Sequence, residues 1–185
     1  TVKRLQCDLH WECDKDADVS VIIGTGERTA LKGVQPGTKP DDQKFRGLVY
    51  YKNLTAPGVE HTGDARESDG DADSPEETIL VNPMELEKGA RNVTLVATTF
   101  PDDDAGTGPA VPFSEVKDCR VNIIDPDANT VLYTYALSGD FGDFTSVELI
   151  RADIDENKEL QITALATGVG NSAIPLNDIA KEYKL

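Results

Sequence analysis

The chain has 185 residues, of which 38% are hydrophobic, so it is long and apolar enough to bury the core of one domain. Its formal net charge of -16 at pH 7 disfavours unspecific binding to nucleic acid or to anionic membranes, because like charges repel. The same charge favours cations and basic partners. We therefore expect a single acidic domain over residues 1–185.

Apolar and β-branched segments recur along the chain between turn residues, and few stretches have a helical period. The predicted strands are Leu5–Cys13, Val19–Ile23, Leu48–Tyr51, Thr78–Val81, Val93–Thr99, Arg120–Ile124, Val131–Ala136, Phe144–Ile150 and Leu160–Thr167. Short helices are predicted after Pro83 and over Pro175–Tyr183, and long loops over Gly24–Lys44 and Gly58–Glu77. Many short strands without long helices predict an all-β fold, a β-sandwich of two antiparallel sheets with long acidic loops and a short C-terminal helix.

The sequence also bears on the compartment. No apolar run approaches the roughly 20 residues of a membrane-spanning helix, and Thr1–Asp8 lacks the apolar core of a signal peptide. The three cysteines, Cys7, Cys13 and Cys119, contain no C-x-x-C pair and leave one unpaired, which favours a reducing compartment. We expect a cytoplasmic protein without direct membrane insertion.

The first group of candidate metal ligands is Asp14, Asp16 and Asp18, which leads into the predicted strand at Val19. If that strand begins early, its period of two places the three carboxylates on one face and the apolar side chains on the other. Carboxylates spaced about 7 Å apart raise one another's pKa values or recruit a cation. Calcium, which accepts about six to eight oxygens in flexible geometry, is the expected ion.

The second group lies in the acidic loop, where Asp69, Asp71 and Asp73 repeat the alternate spacing and Gly63 and Gly70 let the backbone turn. Neither group meets the ligand order of an EF-hand. In a chain with 34 acidic residues, such triplets also arise from composition alone and then form a solvated surface. Spacing alone leaves a metal site and a solvated loop open.

We expect no catalytic centre. Only His10 and His61 could act as the base for a Ser or Cys nucleophile. His61 stands beside the acidic loop, where contact with a carboxylate would orient a ligand or hold the loop in place, and we favour the second role.

An ordered set of motifs resembles the TerD family of tellurium-resistance and general-stress proteins. That family has a tryptophan strand, then D-x-D-x-D-x-S entering a second strand, then V-x-Y-x-N, then V-x-H-x-G-D opening an acidic loop. The matching residues are Trp11, then Asp14, Asp16, Asp18 and Ser20, then Val49, Tyr51 and Asn53, then Val59, His61, Gly63 and Asp64. With the F-x-x-V match at Phe113–Val116, the likeness covers most of the chain.

The resemblance implies a calcium-binding β-sandwich in which Asp16, Asp18 and Asp64 occupy matched positions of the family's motifs. The loop after Asp64 departs from the family's pattern, with a short insertion before Glu77. The expected Ca²⁺ ligands are Asp14, Asp16, Asp18, Asp64, Asp69, Asp71, Asp73 and Glu77. The resemblance also implies a role in stress or toxic-oxyanion resistance, in a complex with other stress or tellurium-resistance proteins near the membrane.

Two other functions remain open on the sequence. One is a metal-dependent hydrolase that uses the same carboxylates with magnesium or manganese. The other is a metal-free acidic structural domain adapted to a salty cytoplasm. Magnesium takes fewer protein ligands and keeps several waters, so a titration that compares calcium with magnesium separates these functions.

Overall fold

The computed structural model describes residues 1–37, 39, 44–63, 74–101, 108–169 and 175–185. These residues form twelve strands, two short α-helices, and single 3-10 turns at Pro83–Glu85 and Phe113–Glu115. The strands are β1 (Leu5–His10), β2 (Ala17–Gly26), β3 (Thr29–Ala30), β4 (Leu48–Val49), β5 (Thr55–Ala56), β6 (Val59–His61), β7 (Glu77–Val81), β8 (Asn92–Thr99), β9 (Arg120–Asp125), β10 (Thr130–Ala136), β11 (Ser146–Ile154) and β12 (Leu160–Gly168). The helices are α1 (Leu137–Asp140) and α2 (Pro175–Glu182).

The strands form two sheets. The β1 sheet has the order β10-β9-β1-β7-β6-β5, and the β2 sheet has the order β12-β11-β8-β2-β3, with β4 also paired to β2. Every strand pairing in the described part of the chain is antiparallel. Alternate side chains, such as Leu5 and Leu9 of β1 and Val19 and Val21 of β2, fill the core between the sheets. The predicted antiparallel β-sandwich with a short C-terminal helix is confirmed.

β2 is buried on both faces, because the outer face of its sheet also carries structure. Ile22 lies in a second apolar cluster with Ile179 of α2 and with Tyr183, which directly follows that helix. Each of these side chains is at most 5% exposed. α2 has only 8 residues, so at the helical rise it is about 12 Å long and covers only part of the sheet. No helix among the described residues is long and apolar enough to cross a membrane.

Two predicted loops contain strands. The predicted loop Gly24–Lys44 includes β3, which pairs with the end of β2, and the predicted loop Gly58–Glu77 includes β6, which pairs with β7. Strands of two or three residues are too short to show a period of two. The prediction that both segments are free of strands is therefore wrong.

The start of β2 also differs from the prediction. β2 begins at Ala17, so only Asp18 of the first aspartate group lies within a strand. Asp16 directly precedes β2, and Asp14 lies in an exposed bend. The expectation that an early strand places Asp14, Asp16 and Asp18 on one face is wrong, because ladder pairing of β2 with β8 stops at Ala17 opposite Thr99.

Some of the chain's aspartates serve as turn residues. In the β9–β10 turn, Asp125 Oδ1 accepts the backbone N–H groups of Asp127 at 3.0 Å and Ala128 at 3.2 Å. In the β11–β12 turn, Asp155 Oδ1 accepts the N–H of Asn157 at 2.8 Å. Aspartates often close turns in this way. Acidic residues in this chain therefore have roles besides metal binding, as the composition argument allowed.

Candidate metal centre

Three carboxylates meet where the first residues of β2 and β7 come together. Asp16 and Asp18 come from the start of β2, and Glu77 is the first residue of β7. One oxygen from each lies within 4.8 Å of the others. Asp18 and Glu77 are each 1% exposed, and Asp16 is partly buried. The cluster thus joins an edge of the β2 sheet to the β1 sheet.

The edge of β2 explains why Glu77 reaches this position. On one side β2 pairs with β4 at Val21 and Ile22 and with β3 further on, so no described strand pairs with its first residues there. The Val19 N–H donates instead to Glu77 Oε1 at 3.3 Å. The Glu77 side chain thus takes the place of a neighbouring strand and satisfies a buried backbone amide.

His61, the last residue of β6, orients the same carboxylate. Its side chain is fully buried, and its Nδ1 accepts the Gly63 N–H at 3.0 Å. The Nε2 atom lies 3.2 Å from Glu77 Oε1. Because Nδ1 accepts a hydrogen bond, Nε2 is the ring nitrogen that carries a proton, and it faces Glu77 in an electrostatic contact. The contact joins His61 to a carboxylate, and the favoured role of His61 in holding the loop in place stays a prediction.

Burial determines the electrostatics of the cluster. It raises the pKa of Glu77, while the His61 contact and the hydrogen bonds with Asp18 and the Val19 amide lower it, and the net direction is upward. A buried carboxylate beside two others is costly as an anion, and an opposite charge within hydrogen-bonding range reverses that cost. A cation bound at the cluster would therefore stabilise the folded chain.

The donor set fits calcium. Two oxygens on opposite sides of an ion lie twice the bond length apart, which is about 4.8 Å for a bond of about 2.4 Å. The oxygens of Asp16, Asp18 and Glu77 lie within that span. Calcium takes only oxygen ligands, and its flexible geometry accepts the remainder from water or from other chain segments. The three residues can therefore serve as part of a calcium coordination shell.

The raised pKa of Glu77 gives a pH prediction for the ion-free protein. A carboxyl whose pKa is higher in the folded chain contributes stability below its ordinary value of 4.5, and that contribution is lost as the pH rises through the folded value. We expect Glu77→Gln, measured by urea unfolding in a chelator, to be more stable than the wild type at pH 7. The difference should shrink as the pH falls to 4.5. A variant less stable than the wild type at pH 7 would contradict this prediction.

The structure brings together three of the eight predicted ligands, Asp16, Asp18 and Glu77. Asp14 is exposed and lies outside this cluster. Asp64, Asp69, Asp71 and Asp73 lie outside the described residues. Sequence reasoning gave no role to the Val19 amide, because a backbone group carries no residue-type signal.

These features define a class of protein, an acidic antiparallel β-sandwich that gathers buried carboxylates where its two sheets meet. The protein-family model of the TerD domain matches residues 1–183, so the chain belongs to the TerD family. The ordered motifs from Trp11 to Asp64 had indicated the same family.

Two solved structures share the fold. One is the protein of unknown function SAV2460, at 12% sequence identity and a TM-score of 0.67, with 90% of this chain and 89% of that chain covered. The other is SCO6318 from Streptomyces coelicolor A3(2), described as a homologue of the telluride resistance protein TerD, at 13% identity and a TM-score of 0.66. The match covers 97% of this chain and 96% of the SCO6318 chain. A comparison with curated protein sequences gave no significant match.

Proposed function

We propose that this chain is a calcium-binding, non-catalytic module of the tellurium-resistance and stress-response type. The observation that carries the proposal is the convergence of Asp16, Asp18 and Glu77 within 4.8 Å, with two of the three carboxylates buried. Converging buried anions are costly without a cation. Membership of the TerD family supports the biological part of the proposal.

In this proposal Asp16, Asp18 and Glu77 supply ligand oxygens, and His61 keeps Glu77 in position. The ion, when bound, supplies positive charge that lets the carboxylates coexist as anions. Asp64 follows Gly63, whose amide is tied to the His61 ring, so we also include Asp64 and the following Asp69, Asp71 and Asp73 as candidate ligands. Asp14 is a weaker candidate, because its side chain faces solvent.

A bound ion would connect the two sheets. Asp18 belongs to the β2 sheet, Asp16 directly precedes β2, and Glu77 belongs to the β1 sheet. Binding to the folded state alone adds stability of about 2.7 kcal/mol at a hundredfold excess over the dissociation constant. We propose that this linkage orders the surface around the acidic loop for contact with other stress or tellurium-resistance proteins in the cytoplasm or, through them, at the membrane.

The cluster provides little for catalysis. It offers three carboxylates and one buried imidazole, and the ring is engaged by Gly63 and Glu77. Among the described residues, no cysteine joins the three carboxylates in this group. We therefore propose a binding function rather than the hydrolase alternative.

A metal titration tests the proposal. The melting temperature of the chelator-treated protein is measured against CaCl₂ and against MgCl₂ at matched ionic strength. We expect calcium to raise it by about 5 to 10 °C at a hundredfold excess over the dissociation constant, and magnesium by much less. Equal responses to both ions, with hydrolytic turnover, would support the hydrolase, and no response to either would support a metal-free acidic domain.

Tryptophan fluorescence provides a second readout of ion binding. Trp11 is the only tryptophan of the chain and is 1% exposed. It lies two residues beyond Leu9, which pairs with Glu77 in the β1–β7 ladder, so its indole and the Glu77 carboxylate project from the same face of the sheet. A calcium-dependent change in its emission would locate binding near this end of β7.

A further inference from the structure

The incomplete cover of the β2 sheet leaves a cavity beside α2. The helix contributes Leu176, Asn177 and Ala180 to the lining, and the segments around β4 and the end of β8 contribute the rest of it together with residues such as Leu31 and Leu185. The cavity has a volume of about 750 Å³. Pockets for small molecules commonly have volumes of about 300 to 1,000 Å³. This space, which we name the aromatic cavity, is separate from the carboxylate cluster.

Four of the residues that line the aromatic cavity are aromatic, and their rings form a continuous series. The centroids of Phe45 and Tyr50 are 6.3 Å apart, those of Tyr50 and Tyr51 are 5.3 Å apart, and those of Tyr51 and Phe100 are 5.2 Å apart. The last two pairs meet edge to face, at 75° and 80°. Rings in this arrangement present both faces and edges, and flat apolar molecules stack on such surfaces.

Two lysines stand at the cavity, although the chain as a whole carries a charge of -16. The exposed Lys52 ammonium lies 5.7 Å from the centroid of the Tyr51 ring. Lys32 donates to the backbone oxygen of Lys184 and retains further donor hydrogens. Positive charge at the rim of an aromatic wall favours a ligand that is apolar and anionic.

We propose that the aromatic cavity binds a planar apolar molecule that carries one acidic group. The ring system stacks against the series from Phe45 to Phe100, and the acidic group pairs with Lys52 at the rim. This proposal does not depend on calcium binding, because none of the three clustered carboxylates lines the cavity.

The test uses 1-naphthoate as the probe and 1-naphthalenemethanol as its neutral counterpart. Each is titrated into the full chain by isothermal calorimetry, with and without calcium. We expect saturable one-to-one binding of 1-naphthoate in both conditions, and binding of the neutral compound at least threefold weaker. Equal affinities for both compounds, or no saturable binding of 1-naphthoate, would overturn the proposal.

Two substitutions and one control locate the site. Lys52→Gln should weaken 1-naphthoate binding at least threefold and leave the neutral compound unaffected. Ala180→Phe places a ring in the cavity and should abolish binding of both compounds; its melting curve verifies that it folds. Lys88→Gln removes the same charge from an exposed position away from the cavity and should change nothing. Unchanged binding in a folded Ala180→Phe variant, or equal losses in Lys52→Gln and Lys88→Gln, would place the ligand elsewhere and overturn the proposal.

Discussion

The double substitution Asp16→Asn with Asp18→Asn is expected to abolish the calcium-dependent rise in melting temperature. Asparagine keeps the size and one oxygen of each side chain but removes two of the three charges that meet within 4.8 Å. Calcium affinity depends on the number of charged ligands. The variant should lose the whole wild-type rise in melting temperature, which is about 5 to 10 °C when the calcium concentration is a hundred times the dissociation constant.

The same double variant should be at least as stable as the wild type when calcium is absent. Asp18 is 1% exposed and lies beside the buried Glu77, so neutral side chains relieve repulsion in the ion-free protein. A lost calcium response together with unchanged or higher stability in the absence of calcium distinguishes a lost ion site from a damaged fold. Asp140→Asn with Asp143→Asn removes two charges from exposed positions and should retain the full response. A normal calcium response in the Asp16/Asp18 variant would refute the assignment of the site.

The sandwich could be predicted from the sequence because several of its long strands are buried along most of their length. Strands such as β8 and β11 carry runs of apolar and β-branched residues, and their predicted positions agree with the structure to within a few residues. The two-residue strands β3 and β5, which were not predicted, depend on a neighbour's free edge rather than on their own composition. The strand propensity of the residues themselves cannot reveal such pairing.

The site could be predicted only in part. The motif D-x-D-x-D placed Asp16 and Asp18 together by spacing, but it also included Asp14, which faces solvent because the strand starts later than expected. Glu77 lies 59 residues after Asp18 in the chain, and only the approach of β7 to the edge of β2 brings the two together. A contact between sheets has no local sequence signal, so the part played by the Val19 amide could not be predicted.

The carboxylate cluster and the aromatic cavity lie on neighbouring parts of one strand pair. Asp18 of β2 is opposite Thr98 of β8 in the ladder, and Thr98 lines the aromatic cavity. An ion that fixes the start of β2 therefore acts on the strand that pairs with β8, and β8 borders the cavity. Comparing 1-naphthoate titrations with and without calcium measures any coupling between the two sites, because coupling would change both affinities by the same factor.

The largest effect on stability outside the metal centre is expected at the ion pair that faces α2. Arg28 Nη2 lies 3.1 Å from Glu148 Oε2, and Arg28 Nη1 lies 3.4 Å from Glu182 Oε2 in α2. The Glu148 side chain is 1% exposed, whereas the Arg28 side chain is 46% exposed. Burial, followed by the charge of Glu148, raises the pKa of the neighbouring Tyr183 to about 12. Among the described contacts, Arg28 supplies the positive charge beside the Glu148 carboxylate.

Arg28→Met should therefore destabilise the chain by leaving the Glu148 carboxylate buried without that charge. Removing one partner of a fully buried pair costs about 3 to 5 kcal/mol, and water beside the half-exposed Arg28 reduces this to about 2 kcal/mol. In urea unfolding, Arg28→Met combined with Glu148→Met should recover most of the loss, because an apolar pair carries no buried charge. Arg4→Met, which breaks an exposed pair with Asp127, should have little effect. If Arg28→Met costs no more than Arg4→Met, Glu148 is hydrated in solution and α2 is held by its apolar contacts with Ile22 and the residues around it.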